Sequence, residues 1–265
     1  MLEIFNYSFM IRAIIAGSVI ACVAPLVGTF LVTKRYSLMA DTLSHVCLAG
    51  IAIGLLLNIY PIYAALVVSI LAALMIERLS KYKRFTSEAT LSVFLTGGLA
   101  LATVLISFAK GFTVDLYSYL FGSITTVTEL DVTLTVVMGI VVFLVMIVIY
   151  KQLFYISFDE ESAQVSGLKT KLINYIFIII TATTITLSIR IVGALLVSAL
   201  IVIPVLCASL VGNSFKQCLI YSIVFGLIFV LTGLLLSFYF SLAAGGSIVL
   251  FSLFVFSLIL FIKRN

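Results

Sequence analysis

Apolar runs of the length that crosses a bilayer's hydrocarbon layer, roughly 17–25 residues, recur along the whole chain. They fall at 13–33, 38–57, 60–77, 89–109, 132–150, 172–189, 191–211, 218–238 and 246–262. Such runs specify transmembrane helices, so the expected fold class is all-α: a polytopic helical membrane protein with eight or nine transmembrane helices in a single domain over 1–265. The count turns on 191–211, which follows 172–189 with only Arg190 between them. A soluble fold is excluded, because a chain of 265 residues with 64 % hydrophobic and 9 % charged content cannot hide its apolar surface inside its own core.

The first run carries VIAC at 19–22, which looks like a cleavage site before Cys22. The apolar character continues through VAPLVGTFLV, far past a signal segment, and the run reads as a retained helix. Cys22, Cys47, Cys207 and Cys218 form no CxxC pair, and for the three that fall inside apolar runs small buried hydrophobes are the expectation.

The net charge of +5 sits in the connections between runs and not in a patch suited to nucleic acid. Lys34 and Arg35 follow the first run. Arg78, Lys81, Lys83 and Arg84 follow the third, Lys151, Lys169 and Lys171 lie between the fifth and sixth, and Lys263 and Arg264 close the chain. The positive-inside rule then puts the N-terminus outside and the C-terminus inside, with NIYP at 58–61 on the outer face. Arg190 runs against that trend.

The longest polar connections are 78–88 and 151–171, and no GxxxxGK[ST] phosphate loop is present. ATP-driven work by this chain therefore needs a partner that hydrolyses the nucleotide. Within the second connection, FDEESAQVSGLK (158–169) has the signals of a short helix over 160–166. Asp159 caps it, Glu160 and Glu161 complement its dipole, and Gly167 stops it. That helix is either a solvated connector or a docking element. Gly50 and Gly54 form a GxxxG pair suited to close helix packing, and Pro204 interrupts the run around it.

One run carries chemistry. In YSLMADTLSHVCLAGIAIGLLL (36–57), Asp41 and His45, the single histidine, are four residues apart. On a helix they are separated by about 40° around the axis and about 6 Å along it, so they share a face. Ionisable groups cost several kcal/mol in hydrocarbon and turn toward a bundle interior, a partner or a water-filled route. The pair is a packing hydrogen bond, a proton relay or a divalent-cation site. A carboxylate with a neutral imidazole suits zinc and also serves manganese or iron. Two ligands are too few, but two copies about an axis would offer two Asp and two His, with Ser37 and Ser44 as supporting oxygens.

With these residues the chain resembles a known family. SLMADTLSHVCLAGIAIG is similar to the signature second helix of the membrane permeases of bacterial zinc/manganese-type ABC importers. The likeness continues in YLFGSI (119–124), FDEESAQVSGL (158–168) and VGALLVSALIVIPVLCASL (192–210), and so covers essentially the whole chain. The resemblance implies a type II, vitamin-B12-importer-like permease of the bacterial cytoplasmic membrane, not itself an enzyme. It implies work as a homodimer with two ATP-binding ABC subunits, and supply of metal by an extracytoplasmic metal-binding lipoprotein. It implies no tightly bound cofactor, only a transported metal ligated by Asp41 and His45. It also makes 158–168 a cytoplasmic coupling helix, with Phe158, Asp159, Glu160, Ala163, Gly167 and Leu168 at the ATPase. DTLSH looks more like the zinc branch than the manganese branch. A proton-coupled secondary transporter and a non-transporting scaffold are the competing classes.

Overall fold

The computed structural model describes residues 7–80, 86–108 and 113–264. The basic residues Lys81, Lys83 and Arg84, expected in an inner loop, lie outside the described residues. Eleven helices run in order among those described: α1 (Ser8–Thr33), α2 (Leu38–Leu56), α3 (Pro61–Ser80), α4 (Ser87–Phe108), α5 (Thr113–Phe121), α6 (Glu129–Phe158), α7 (Glu160–Val165), α8 (Thr170–Val192), α9 (Val197–Val211), α10 (Phe215–Phe240) and α11 (Ala244–Arg264).

Eight of these, all but α5, α7 and α9, are long and apolar enough to cross a membrane. α1, α2 and α8 form the buried centre, while α4, α6, α10 and α11 turn most of their surface outward. The outward side chains are apolar, Val148, Leu250 and Phe254 among them. That is the inverse of a soluble surface and fits lipid as solvent.

Local signals start the helices. Thr128 and Asp131 make a reciprocal capping box at the head of α6, and Ser214 accepts from the Gln217 amide at the head of α10. The GxxxG pair does what the sequence predicts. A Cβ on Gly50 would fall 2.6 Å from the Ala65 Cα, so α2 and α3 touch backbone to backbone.

The bundle has two ends. At one, α7 lies near the α1–α2 turn and the head of α10, where Phe215 packs on Phe154, Phe158 and Phe30. At the other, α5 and the loop to α6 meet the α8–α9 turn. There Ala194 donates to the Tyr119 carbonyl at 2.8 Å and Leu195 to that of Leu120 at 3.2 Å.

These contacts resolve the ambiguity over 191–211. α9 starts at the α5 end and finishes four residues before Phe215 at the α7 end, so it does traverse the bundle, although its 15 residues rise only about 22 Å. The run reads as longer than the helix because Gly193, at φ +87°, ends α8 and turns the chain before α9 begins. Nine helices thus run between the two ends among the described residues, eight of full length and one short.

Candidate functional site

Asp41 lies in the first turn of α2 and His45 one turn further on. Their placement at i and i+4 brings His45 Nε2 within 3.8 Å of Asp41 Oδ1, too long for a hydrogen bond. The Asp41 side chain is 37 % exposed and that of His45 11 %. His45 Nδ1 is buried without a hydrogen-bond partner. The pair therefore shares one face of a central helix, carboxylate open and imidazole behind it, with neither ring nitrogen committed to Asp41. Buried polar atoms are nearly always satisfied, so this nitrogen stands out among the described residues.

Of the two serines read as supporting oxygens, Ser44 donates its hydroxyl to the Asp41 backbone carbonyl at 2.8 Å, which leaves its lone pairs unclaimed. Ser37, at the N-cap of α2, makes no side-chain cap bond. Among the described residues no three His, Cys, Asp or Glu groups cluster to hold a metal.

α7 follows its sequence signals closely. The Asp159 carboxylate accepts from the Ser162 amide at 2.9 Å and from the Ser162 hydroxyl at 2.5 Å, and both hold its pKa below the ordinary value. At the other end the Gly167 amide reaches the Gln164 carbonyl and the Leu168 amide that of Ala163, a Schellman stop with Gly167 at φ +84°. Ala163 is fully buried against the bundle. Phe158 and Val165 stay exposed, Val165 at 90 %. Val165 is the residue the sequence reading missed: an apolar side chain in a polar hexapeptide, without a periodicity to flag it.

A cavity of about 870 Å³ opens at this end, lined by Lys34, Tyr36, Glu77, Glu160, Lys171 and Asn174 among others. Asp41 and His45 do not line it.

The α5 end holds a second charged cluster, around Arg190, whose partners the sequence did not reveal. Arg190 Nε donates to Asp131 Oδ2 at 2.9 Å and its Nη2 to the Thr126 carbonyl at 3.0 Å, while its guanidinium lies 4.6 Å from the centre of the Tyr119 ring. The Tyr60 hydroxyl donates to the other Asp131 oxygen, and burial together with that carboxylate pushes its pKa up. Arg190 is thus paired. The signal available was its isolation between two apolar runs.

The structure is thus a helical membrane bundle with a carboxylate–imidazole pair on a central helix and a short capped helix at one end. The chain belongs to the ABC 3 transport family, whose description matches residues 6–263. It is 33 % identical over 255 residues to the "Probable metal transport system membrane protein" of Treponema pallidum, covering 96 % of both chains. It is 34 % identical to the "Manganese import system permease protein ScaB" of Streptococcus gordonii, covering 97 % of this chain and 92 % of that one. To the "High-affinity zinc uptake system membrane protein ZnuB" of Haemophilus influenzae it is 30 % identical, over 98 % and 99 % of the two chains. The solved structure "PsaBC from Streptococcus pneumoniae in complex with Fab" superimposes with a TM-score of 0.87 at 31 % identity, covering 97 % of this chain and 92 % of that one. A putative metal-chelate type ABC transporter in an inward-facing conformation shares the fold, with a TM-score of 0.76 at 16 % identity over 95 % and 85 % of the two chains. The chain is therefore the membrane permease of a metal-ion ABC importer, the class that its four sequence motifs resemble.

Proposed function

We propose that this permease carries a divalent transition metal, zinc in the first instance, inward across the bacterial cytoplasmic membrane, with Asp41 and His45 holding the ion in passage. The relatives carry both manganese and zinc names, so the preference for zinc over manganese or iron rests on the DTLSH form of the motif. The observation that carries the site is the half-open carboxylate beside an imidazole whose Nδ1 has no partner. A passing cation needs donors that bind weakly enough to release it, and two ligands per chain meet that demand once a second copy supplies two more. The functional unit is accordingly a homodimer with ATP-binding subunits that hydrolyse the nucleotide, served by an extracytoplasmic metal-binding lipoprotein. The N-terminus lies outside and the C-terminus inside, so the α7 end is cytoplasmic. α7, within 158–168, docks on the ATP-binding subunit through Val165 and Phe158.

One observation favours a plainer reading of Asp41. A carboxylate in the first turn of a helix is stabilised by the dipole without any ligand. Uptake of zinc and manganese per folded dimer separates the two. Asp41→Asn and His45→Leu, which keep size but remove charge and ligand nitrogen, are expected to abolish uptake at unchanged amounts of folded protein. If Asp41→Asn transports normally, the metal-site reading is lost.

A further inference from the structure

The α7 end carries a chain of polar contacts that neither the Asp41–His45 pair nor the docking surface requires. Glu160, the first residue of α7, accepts through Oε1 from Asn174 Nδ2 at 2.9 Å. Asn174 Oδ1 in turn accepts from Lys34 Nζ at 2.6 Å. Asn174 is buried in the second turn of α8, and all three residues line the 870 Å³ cavity. Side-chain packing is interrupted there, so the contacts bridge an open gap. An amide suits the middle position, because its oxygen takes a bond from a cation while its nitrogen gives one to an anion, and neither end can be exchanged for the other.

Lys34 is tied tightly to α2. It caps α1; then Arg35 donates to the Val32 carbonyl at 3.0 Å and Tyr36 to that of Leu31 at 2.8 Å. Arg35 is held at φ +60°, a conformation disfavoured for a residue with a Cβ, and α2 begins at Leu38. Asp41 follows within the first turn. A shift of Lys34 is therefore delivered to Asp41 through a short turn held by backbone hydrogen bonds at Arg35 and Tyr36.

We propose that Asn174 is a positioning residue for transport: Glu160–Asn174–Lys34 is a strut through which α7 sets the α1–α2 turn, and with it Asp41 and His45. This rests on the reading of α7 as the docking helix and of Asp41–His45 as the cation site. Motion imposed on α7 from outside the bundle is passed along the strut to the helix that carries the ligands. Without the strut, the nucleotide cycle runs but the ligand pair no longer follows it.

The test uses the permease with its ATP-binding subunit in lipid vesicles, with ATP hydrolysis and transported Zn²⁺ or Mn²⁺ measured in parallel. Asn174→Asp is isosteric; it keeps the acceptor for Lys34 and sets a carboxylate against Glu160. It is expected to assemble and hydrolyse ATP, yet to move about tenfold less metal per ATP, the scale of one lost hydrogen bond to a charged group. Lys34→Met is expected to uncouple in the same way, and Lys34→Arg, which retains a donor, to recover coupling. The strut is overturned if Asn174→Asp stays coupled, if Lys34→Arg and Lys34→Met fall equally, or if metal transport falls only in proportion to assembled complex. A wild-type complex that moves no metal, or a normally transporting Asp41→Asn, overturns the underlying function and the strut with it.

Discussion

Arg190 and Asp131, fifty-nine positions apart, meet at 2.9 Å with the carboxylate buried and the guanidinium 13 % exposed, and so pin α8 to the head of α6. Removing one partner leaves an uncompensated charge. Arg190→Met is expected to destabilise the protein by about 3–5 kcal/mol. The neutral pair Asp131→Asn/Arg190→Met should recover most of the loss. Folded fraction after graded heating in detergent reads both, and equal stability of the two variants would refute the pairing.

Gly167 and Gly193 share a left-handed backbone, at φ +84° and +87°, in different surroundings. A Cβ on Gly167 meets nothing within 4 Å, whereas one on Gly193 would fall 2.4 Å from the Leu120 carbonyl oxygen. Gly167→Ala is therefore expected to cost only about 1 kcal/mol, the backbone preference alone. Gly193→Ala should lose folded protein outright. Yields of monodisperse protein from the two variants provide the comparison.

The Asp159 cap gives α7 a pH dependence of known sign. Its carboxyl is held below its ordinary pKa by the Ser162 hydroxyl and amide. The stabilisation is thus full above the ordinary carboxylate range and is lost as pH falls through the lowered value. Amide exchange protection in 162–165 should drop on acidification, and Asp159→Asn should flatten that response. An unchanged profile in Asp159→Asn would show that the cap does not titrate.

The proposed docking of α7 makes its own demand. Ala163 is buried and its amide donates to the Asp159 carbonyl, so Ala163→Pro breaks α7, while Val165→Asp keeps α7 and alters only its exposed tip. Both are expected to abolish metal-stimulated ATP hydrolysis by the partner while the permease still inserts. Full stimulation in Val165→Asp would remove Val165 from the docking surface. Cysteine introduced at 164 should also resist labelling from outside intact cells.

Legibility followed the range of the interactions. The long helices were readable because lipid forces each apolar run to satisfy its own backbone, and α7 was readable because Asp159, Gly167 and the two glutamates act within a few residues. The i, i+4 spacing put Asp41 and His45 on one face in advance. Their 3.8 Å gap and the orphaned Nδ1 depend on rotamers that spacing does not set. α5 escaped because nine residues of mixed polarity carry neither span length nor a cap signal. The Arg190–Asp131 and Lys34–Asn174 contacts escaped because they join residues 59 and 140 positions apart, beyond any local pattern.

The shortness of α9 is imposed from outside its own segment. By composition alone 191–211 is a continuous apolar run of roughly 20 residues, long enough to cross the bilayer as an unbroken helix. The break at Gly193 needs the carbonyls of Tyr119 and Leu120 to receive the amides of Ala194 and Leu195. Hydrocarbon offers no substitute acceptor. The boundary between α8 and α9 is therefore a tertiary property: it exists only where the tail of α5 stands ready to receive these two amides.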